Sequence, residues 1–501
     1  MKNSVQLSFT VVLFSGLLLS APVSKLHAAS MLDIGTDYRL RALALNKTDY
    51  GATSGQSYSY FSERALAYIG GRFSPNIEMM VQFQALGIVG ASSSTLSSPS
   101  VNPAAGRYPN ANFSPWVQSA YLKASHLYDT PISLTIGRQP MILGDGLILA
   151  DDDLGFTGVR AQSQLPWWDL LGDAFIFKTG DELQNPASNI YGAQVTKQYQ
   201  QVRYQVSVVN EEDLSGSTLY IRPSENASTN NPVYQRFFQV NDLNTPGTVL
   251  PPLTSQFNFA ASKISRTYYD GRIEGRLLQG GFYKGELALQ NGTISRDPSL
   301  ATSSAAALGY SPSVKLGGYA FLVSGGLFTR FSKYGPIEIH GTFGQASGDS
   351  GGSTDSSFQP MFGHQFDGLE RSGFGEFYGA TLYNALPSAS YSQGASTPSV
   401  SGLPPGYSGI RVIGAGVTTH PTPLLSIGID YYVYSAMETA GSNFSLSSSD
   451  SSLGTELDVG AGFAYTSYLS FRLSYALFQP GSAYIIGNNA QRILLEATGR
   501  F

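Results

Sequence analysis

Apolar and polar residues alternate along this chain with a period of two, the mark of strands with two unlike faces. In 76–88, Ile77, Met79, Val81, Phe83 and Ala85 share one face, and Glu78, Gln82 and Gln84 the other. In 200–210, Val202, Tyr204, Val206 and Val208 oppose Arg203, Gln205 and Ser207; in 469–479, Leu469, Phe471, Leu473, Tyr475 and Leu477 oppose Ser470, Arg472 and Ser474. The pattern predicts strands at 32–46, 57–73, 76–88, 115–125, 131–139, 155–163, 168–179, 189–197 and 200–210. It continues at 262–279, 282–291, 315–331, 335–345, 408–420, 423–437, 455–466, 469–479 and 490–501, eighteen in all.

The connections alternate too. After even strands they are tight: Ser74-Pro75, Gly280-Gly281, Pro421-Thr422 and Ser467-Tyr468, with Ser332-Lys333-Tyr334 slightly longer. After several odd strands they are long and rich in Ser, Pro, Asn and Gly, as in 89–114, 211–261, 292–314 and 346–407. Short turns on one side and long loops on the other are the habit of a transmembrane barrel, and an even strand count brings both ends to one side. A soluble sandwich also alternates, but its outer face is rich in Lys and Glu. Here the polar faces carry Ser, Gly, Gln, Tyr, Thr and scattered Arg. The fold class expected is all-β: one antiparallel transmembrane β-barrel of about 18 strands with short periplasmic turns and long external loops.

Composition supports that class. Fifty-five Gly, thirty Tyr and only 13% charged residues suit a barrel wall. The complete absence of Cys excludes disulfides, thiolate chemistry and lipid attachment at an N-terminal Cys. Residues 1–29 read as a signal peptide, with Lys2 before the apolar Val11–Leu19 and a small-residue cleavage site at Ala28 or Ala29. That leaves 30–501 for the barrel. Without Lys2 and Lys25, 28 basic groups face 35 acidic ones, a net charge of −7, and no basic patch invites nucleic acid. The segment ending at Phe501 sets Ile493, Leu495, Ala497 and Gly499 opposite Arg492, Glu496, Thr498 and Arg500. A terminal aromatic on such a strand resembles the signal read by the outer-membrane assembly machinery, so the outer membrane of a Gram-negative-type bacterium is the expected address.

Several stretches resemble the alginate export family of outer-membrane porins. They are GRQPMILGDGLILADDD at 137–153, flanked by VQSAYLKA at 117–124 and FTGVRA at 156–161, then GELALQNG at 285–292. QASGDSGGSTDSSFQPMFG at 345–363 and LGTELDVGAGFAYTSYLSFRLSYALFQPG at 453–481 complete the set. The resemblance implies a monomeric eighteen-stranded barrel whose lumen arginines attract a polyuronate leaving the cell. The position that carries over is Arg138 of the Gly-Arg-Gln motif; its parity groups it with Leu134 and Ile136, so turning it inward needs a local bulge.

Strand parity supplies the remaining pore-lining candidates: Arg39, Arg41, Arg64, Arg272, Arg276 and Arg472, with Asp270 and Glu274. Further inward positions are Lys284 and Arg492, and Asp37, Glu78, Glu286, Glu338, Asp458 and Glu496. A lumen so nearly balanced predicts weak ion selectivity, with a mild anion bias from Arg138. The Asp270-Arg272-Glu274-Arg276 ladder fits either a transverse field acting on solutes or simple neutralisation of the wall. Asp151-Asp152-Asp153, with Asp145, fits a calcium loop poorly and a solvated turn better. Four mature His, at 126, 340, 364 and 420, lie outside any GxSxG setting, so no enzyme, catalytic residue, metal or cofactor is expected. Tyr58, Tyr60, Tyr268, Tyr269, Tyr319, Tyr431, Tyr432, Tyr465 and Tyr468 fit interfacial girdles, with sugar stacking in the lumen as the alternative. The function expected is a passive channel for hydrophilic solutes, including export of an anionic polysaccharide; a plugged surface-structural or adhesion barrel is the competing class. Loop 346–407 or 89–114 is expected to fold over or into the mouth.

Overall fold

The computed structural model describes residues 31–46, 57–89, 113, 115–150, 155–165, 168–178, 188–218, 262–277, 280–295, 311–329, 335–358, 374–376, 407–439, 450–483 and 488–501. The signal-peptide reading and the triad Asp151-Asp152-Asp153 lie outside them. In order, the strands are β1 (Met31–Asn46), β2 (Ser57–Ser74), β3 (Ile77–Val89), β4 (Trp116–Ala124), β5 (Ile132–Gln139), β6 (Phe156–Leu165) and β7 (Leu170–Lys178). Next come β8 (Ser188–Tyr199), β9 (Val202–Thr218), β10 (Ser262–Leu277), β11 (Gly281–Ser295), β12 (Ser313–Thr329) and β13 (Ile337–Ala346). After the two-residue β14 (Thr354–Asp355) follow β15 (Ser408–Thr422), β16 (Leu425–Glu438), β17 (Ser452–Ala464), β18 (Leu469–Pro480) and β19 (Ala490–Arg500).

Apart from β14, each strand pairs antiparallel with its sequence neighbours, and β1 closes on β19 from Asp37↔Arg500 to Asn46↔Gln491. Thr36 and Phe501 complete the seam with two main-chain hydrogen bonds of 2.9 Å. Closure leaves no sheet edge, which is what a spanning sheet needs where lipid satisfies no hydrogen bond. The result is a closed eighteen-strand barrel.

Outside it is apolar. Ile34, Met79, Phe83, Val206, Leu287, Val323, Ile413, Ile429, Leu473 and Leu495 stand exposed on the outer face. Phe73, Tyr128, Trp168, Tyr199, Tyr465 and Tyr468 ring the short-turn end, also exposed, as an interfacial belt requires. This places the protein in an outer membrane with its short turns in the periplasm. Tyr269 and Tyr431 join the outer face, but Tyr60 and Tyr268 are buried inside the barrel and do not belong to the girdle. Parity decides it: Tyr268 and Tyr269 are consecutive in β10, so only one can face lipid.

β14 is an element the alternation does not predict. β13 ends opposite Ala320, so the upper edge of β12 loses its partner. The chain returns: Ser347 donates its N–H to Tyr319 O at 2.9 Å, and Thr354–Asp355 pair in parallel with Lys315–Leu316. Buried main-chain groups must be paired, and here a loop pairs them.

Candidate functional site: the lumen

The lumen has an outer half dominated by apolar side chains, with a buried Arg266–Glu211 ion pair among them, and a charged periplasmic half. Inward positions near the long-loop ends carry Phe175, Phe177, Ile190, Tyr268, Ile410, Val412, Tyr434, Leu453 and Phe478, all buried in one cluster. Loops add Leu143, Leu147, Ile148, Leu149, Phe358 and Phe374 to it. Phe358 meets Tyr268 edge-on with ring centroids 6.1 Å apart, and Tyr434 Oη donates to Phe374 O at 2.5 Å. Part of loop 346–407 thus folds inside the barrel, carried by Phe358; Met361, Phe362 and Phe366 lie outside the described residues.

A second inward segment follows β5. Leu143 donates its N–H to Leu149 O at 2.9 Å and Gly146 to Leu143 O at 2.8 Å, closing a tight hairpin. Its tip reaches across the lumen to the periplasmic half of β10 and β11. Asp145 donates its main-chain N–H to Glu286 Oε2 at 2.5 Å, and its carboxylate lies 2.9 Å from Arg272 Nη2 and 3.0 Å from Lys284 Nζ. Gly144 is required there: it has φ 58°, and a Cβ would lie 2.4 Å from Glu286 Oε2.

Around this tip the middle of the Asp270-Arg272-Glu274-Arg276 ladder is interlocked. Arg272 pairs with Glu274 at 2.7 Å and with Glu286 at 3.7 Å, and Arg203 reaches Glu274 at 3.4 Å. Asp270 is buried and accepts from Ser207 Oγ at 3.4 Å; Arg276 stands exposed near the periplasmic rim. On the far wall Arg39 and Arg41 are buried, Arg41 pairs with Glu496 at 2.5 Å, and Arg64 lies 3.8 Å from Asp37. Arg472 pairs with Glu376, which arrives from the long loop after β13 and also lies 3.8 Å from Arg492 and 3.4 Å from Ser474 Oγ. Arg138 is half-buried, directly after Gly137 at φ 123°, and donates from Nε to the Gln118 carbonyl of β4 at 3.2 Å. A register shift opposite Gln82 and Phe83 leaves Gln118 as an extra residue in β4, whereas β5 keeps unbroken register through Arg138↔Thr157, without the bulge in its own strand that its parity called for.

Against β13 and β15–β18 the periplasmic half opens into a cavity of about 660 Å³. His340, Glu376, Asp430, Tyr432, Asp458, Arg472 and Glu496 line it. His340 Nε2 and Asp430 Oδ1 are 2.6 Å apart, directly over Gly416 of the intervening strand, where a Cβ would lie 1.9 Å from Asp430 Oδ1.

Sequence reading did not find three of these features. Glu376 sits in a long loop with no periodicity to place it. Asp145 was visible only as an acid near three others, although Gly-Asp-Gly between two apolar runs is itself a hairpin signal. Asp430 stood on the polar side of a plain alternation with Ile427, Ile429, Tyr431 and Val433.

No protein-family model matches the chain, and no curated protein matches it. Solved structures do. Acinetobacter baumannii OccAB2 is similar at 11% identity and a TM-score of 0.51, over 94% of this chain and 98% of that one. Acinetobacter baumannii OccAB4 and Pseudomonas aeruginosa OpdQ are similar at 10% identity and a TM-score of 0.50, each over 94% of this chain and 98% of theirs. The alginate export family is not what these comparisons return. What the chain shares with its structural neighbours is the architecture: a closed eighteen-strand outer-membrane barrel.

Proposed function

We propose that the protein is a passive outer-membrane channel for small hydrophilic solutes, working as a monomer and without a catalytic step. One observation carries this: a closed barrel with an apolar exterior keeps a charged, open cavity of about 660 Å³ in its periplasmic half, against β13 and β15–β18. Eighteen strands are wide enough for an aqueous path. The wall arginines Arg39, Arg41, Arg64 and Arg472 and the interlocked Arg272, Asp270 and Glu274 line that path, with Arg138 and Arg276 at its margins.

The apolar cluster in the outer half favours a second reading, a plugged barrel whose loops bind partners. Recording in a planar bilayer separates the two: ohmic single-channel steps support passage, and a silent, correctly folded barrel supports the plug. Export of a polyuronate chain is the finer form of the first reading, supported by the arginine wall and the sequence resemblance. It expects Arg138→Ser with Arg276→Ser to shift the reversal potential toward cations. A double variant that keeps the parent's selectivity removes these arginines, and with them the polyanion mechanism.

A further inference from the structure

Asp430 of β16 and Asp458 of β17 are direct cross-strand partners. Both face the lumen, since Ile429, Tyr431, Leu457 and Val459 beside them are exposed on the outer face. Like charges at directly opposed positions destabilise a sheet, so the pair calls for a counter-charge. The register carries their row from β13 to β19 as His340, Gly416, Asp430, Asp458, Ala476 and Arg492. The cations nearby are engaged elsewhere: Arg472 and Arg492 with Glu376, and Arg41 with Glu496. His340 reaches only the Asp430 side of the pair.

Asp458 itself is 4% exposed. Its Oδ2 accepts the Glu376 N–H at 2.9 Å, while its Oδ1, buried at the cavity wall, has no hydrogen-bond partner. Glycines keep the space beside it open. Gly428 and Gly460 pair on the inner face, and the nearest atom to a Cβ at Gly460 would be 3.8 Å away. Tyr432 adds a ring to the lining.

We propose that this cavity binds an organic cation, the ammonium or guanidinium group of a permeating solute, between Asp430 and Asp458. The proposal rests on the channel reading and names its solute class. A buried carboxylate oxygen without a donor matches an N–H donor, and an aromatic ring beside a cation adds attraction. The volume falls within the range of small-molecule sites. Among the described residues no group of three or more His, Cys, Asp or Glu is arranged to hold a metal ion, which favours the organic cation.

The test is calorimetric titration of the detergent-folded barrel with 1,4-diaminobutane, using 1,4-butanediol as the uncharged control. Saturable binding of the diamine but not the diol is expected, weakened at least tenfold in Asp458→Asn and in Asp430→Asn. No diamine binding by the parent protein overturns the site. Displacement of the diamine by millimolar magnesium, with magnesium binding tighter, also overturns it in favour of an inorganic ion. Equal binding by diamine and diol, or by parent and both variants, overturns it as well. Single-channel recording is read separately: diamine binding by a barrel that never conducts sinks the channel reading while the site stands, and conduction without diamine binding does the reverse.

Discussion

Two stretches of wall use the same residue types to opposite effect. On β10 and β11, acid and base alternate along a strand, and Asp145 crosses the lumen to join Arg272 and Lys284. Arg272 and Lys284 there find opposite charges within the fold, while Arg276 stands exposed at the rim. On β16 and β17, two acids meet across the ladder and the neighbouring arginines are bound to other carboxylates. Alternation along a strand locks a wall. Repetition across strands leaves a demand that a solute can meet.

The comparison breaks most readily at Asp145. Its carboxylate and the Arg272 guanidinium are both largely buried, so Asp145→Ala should cost about 3 kcal/mol, the scale for breaking a buried ion pair. Urea unfolding, followed by the mobility of unheated barrel on a denaturing gel, measures this; a loss below about 1 kcal/mol, typical of an exposed pair, would show the wall is not locked. Gly144→Ala comes next. Its methyl would meet the Glu286 carboxylate at 2.4 Å in a backbone with φ 58°, a strain of roughly 1–3 kcal/mol. The hairpin tip should lift and single-channel conductance rise; an unchanged conductance would mean that the tip does not narrow the path.

Asp458→Asn should move stability the other way, leaving the unfolding midpoint unchanged or raising stability by up to about 1 kcal/mol as like-charge repulsion is relieved. If it costs as much as Asp145→Ala, the two walls do not differ. The smallest effect is expected at a baseline outside both walls. Asp450, fully exposed in a loop, accepts from Ser482 Oγ at 2.5 Å, and that hydrogen bond, with those from the Ser452 and Ser451 main chain, holds its carboxyl below the usual 3.8. A depressed carboxylate contributes above its unfolded pKa and loses that contribution as pH falls through the folded one. The contact should therefore persist at neutral pH and fade only below about pH 4, and Ser482→Ala should return the titration toward 3.8 by NMR. A midpoint that stays low in the variant would assign the shift to the main-chain donors.

The barrel itself was legible because period-two alternation survives wherever one face meets lipid. Even β6 and β8, the weakest patterns, fall within a few residues of 155–163 and 189–197. Parity likewise turned Arg39, Arg41 and Arg272 inward. Legibility stops where the chain leaves the wall. The hairpin at Asp145, the strap at Glu376 and the pairing of β14 depend on which distant strand a loop meets, and no local period records that. The acid pair is a middle case: each aspartate is visible on its own strand, but only the register sets them opposite one another.

The seam between β1 and β19 has a consequence for biogenesis. Asp37 and Arg500 become neighbours only after almost the whole chain has been delivered. Until then the growing sheet presents two raw edges, each able to recruit a foreign strand. Contacts this remote in sequence also form slowly. An escort that covers both edges until they meet would matter more to the yield of this protein than any single interaction inside the finished wall.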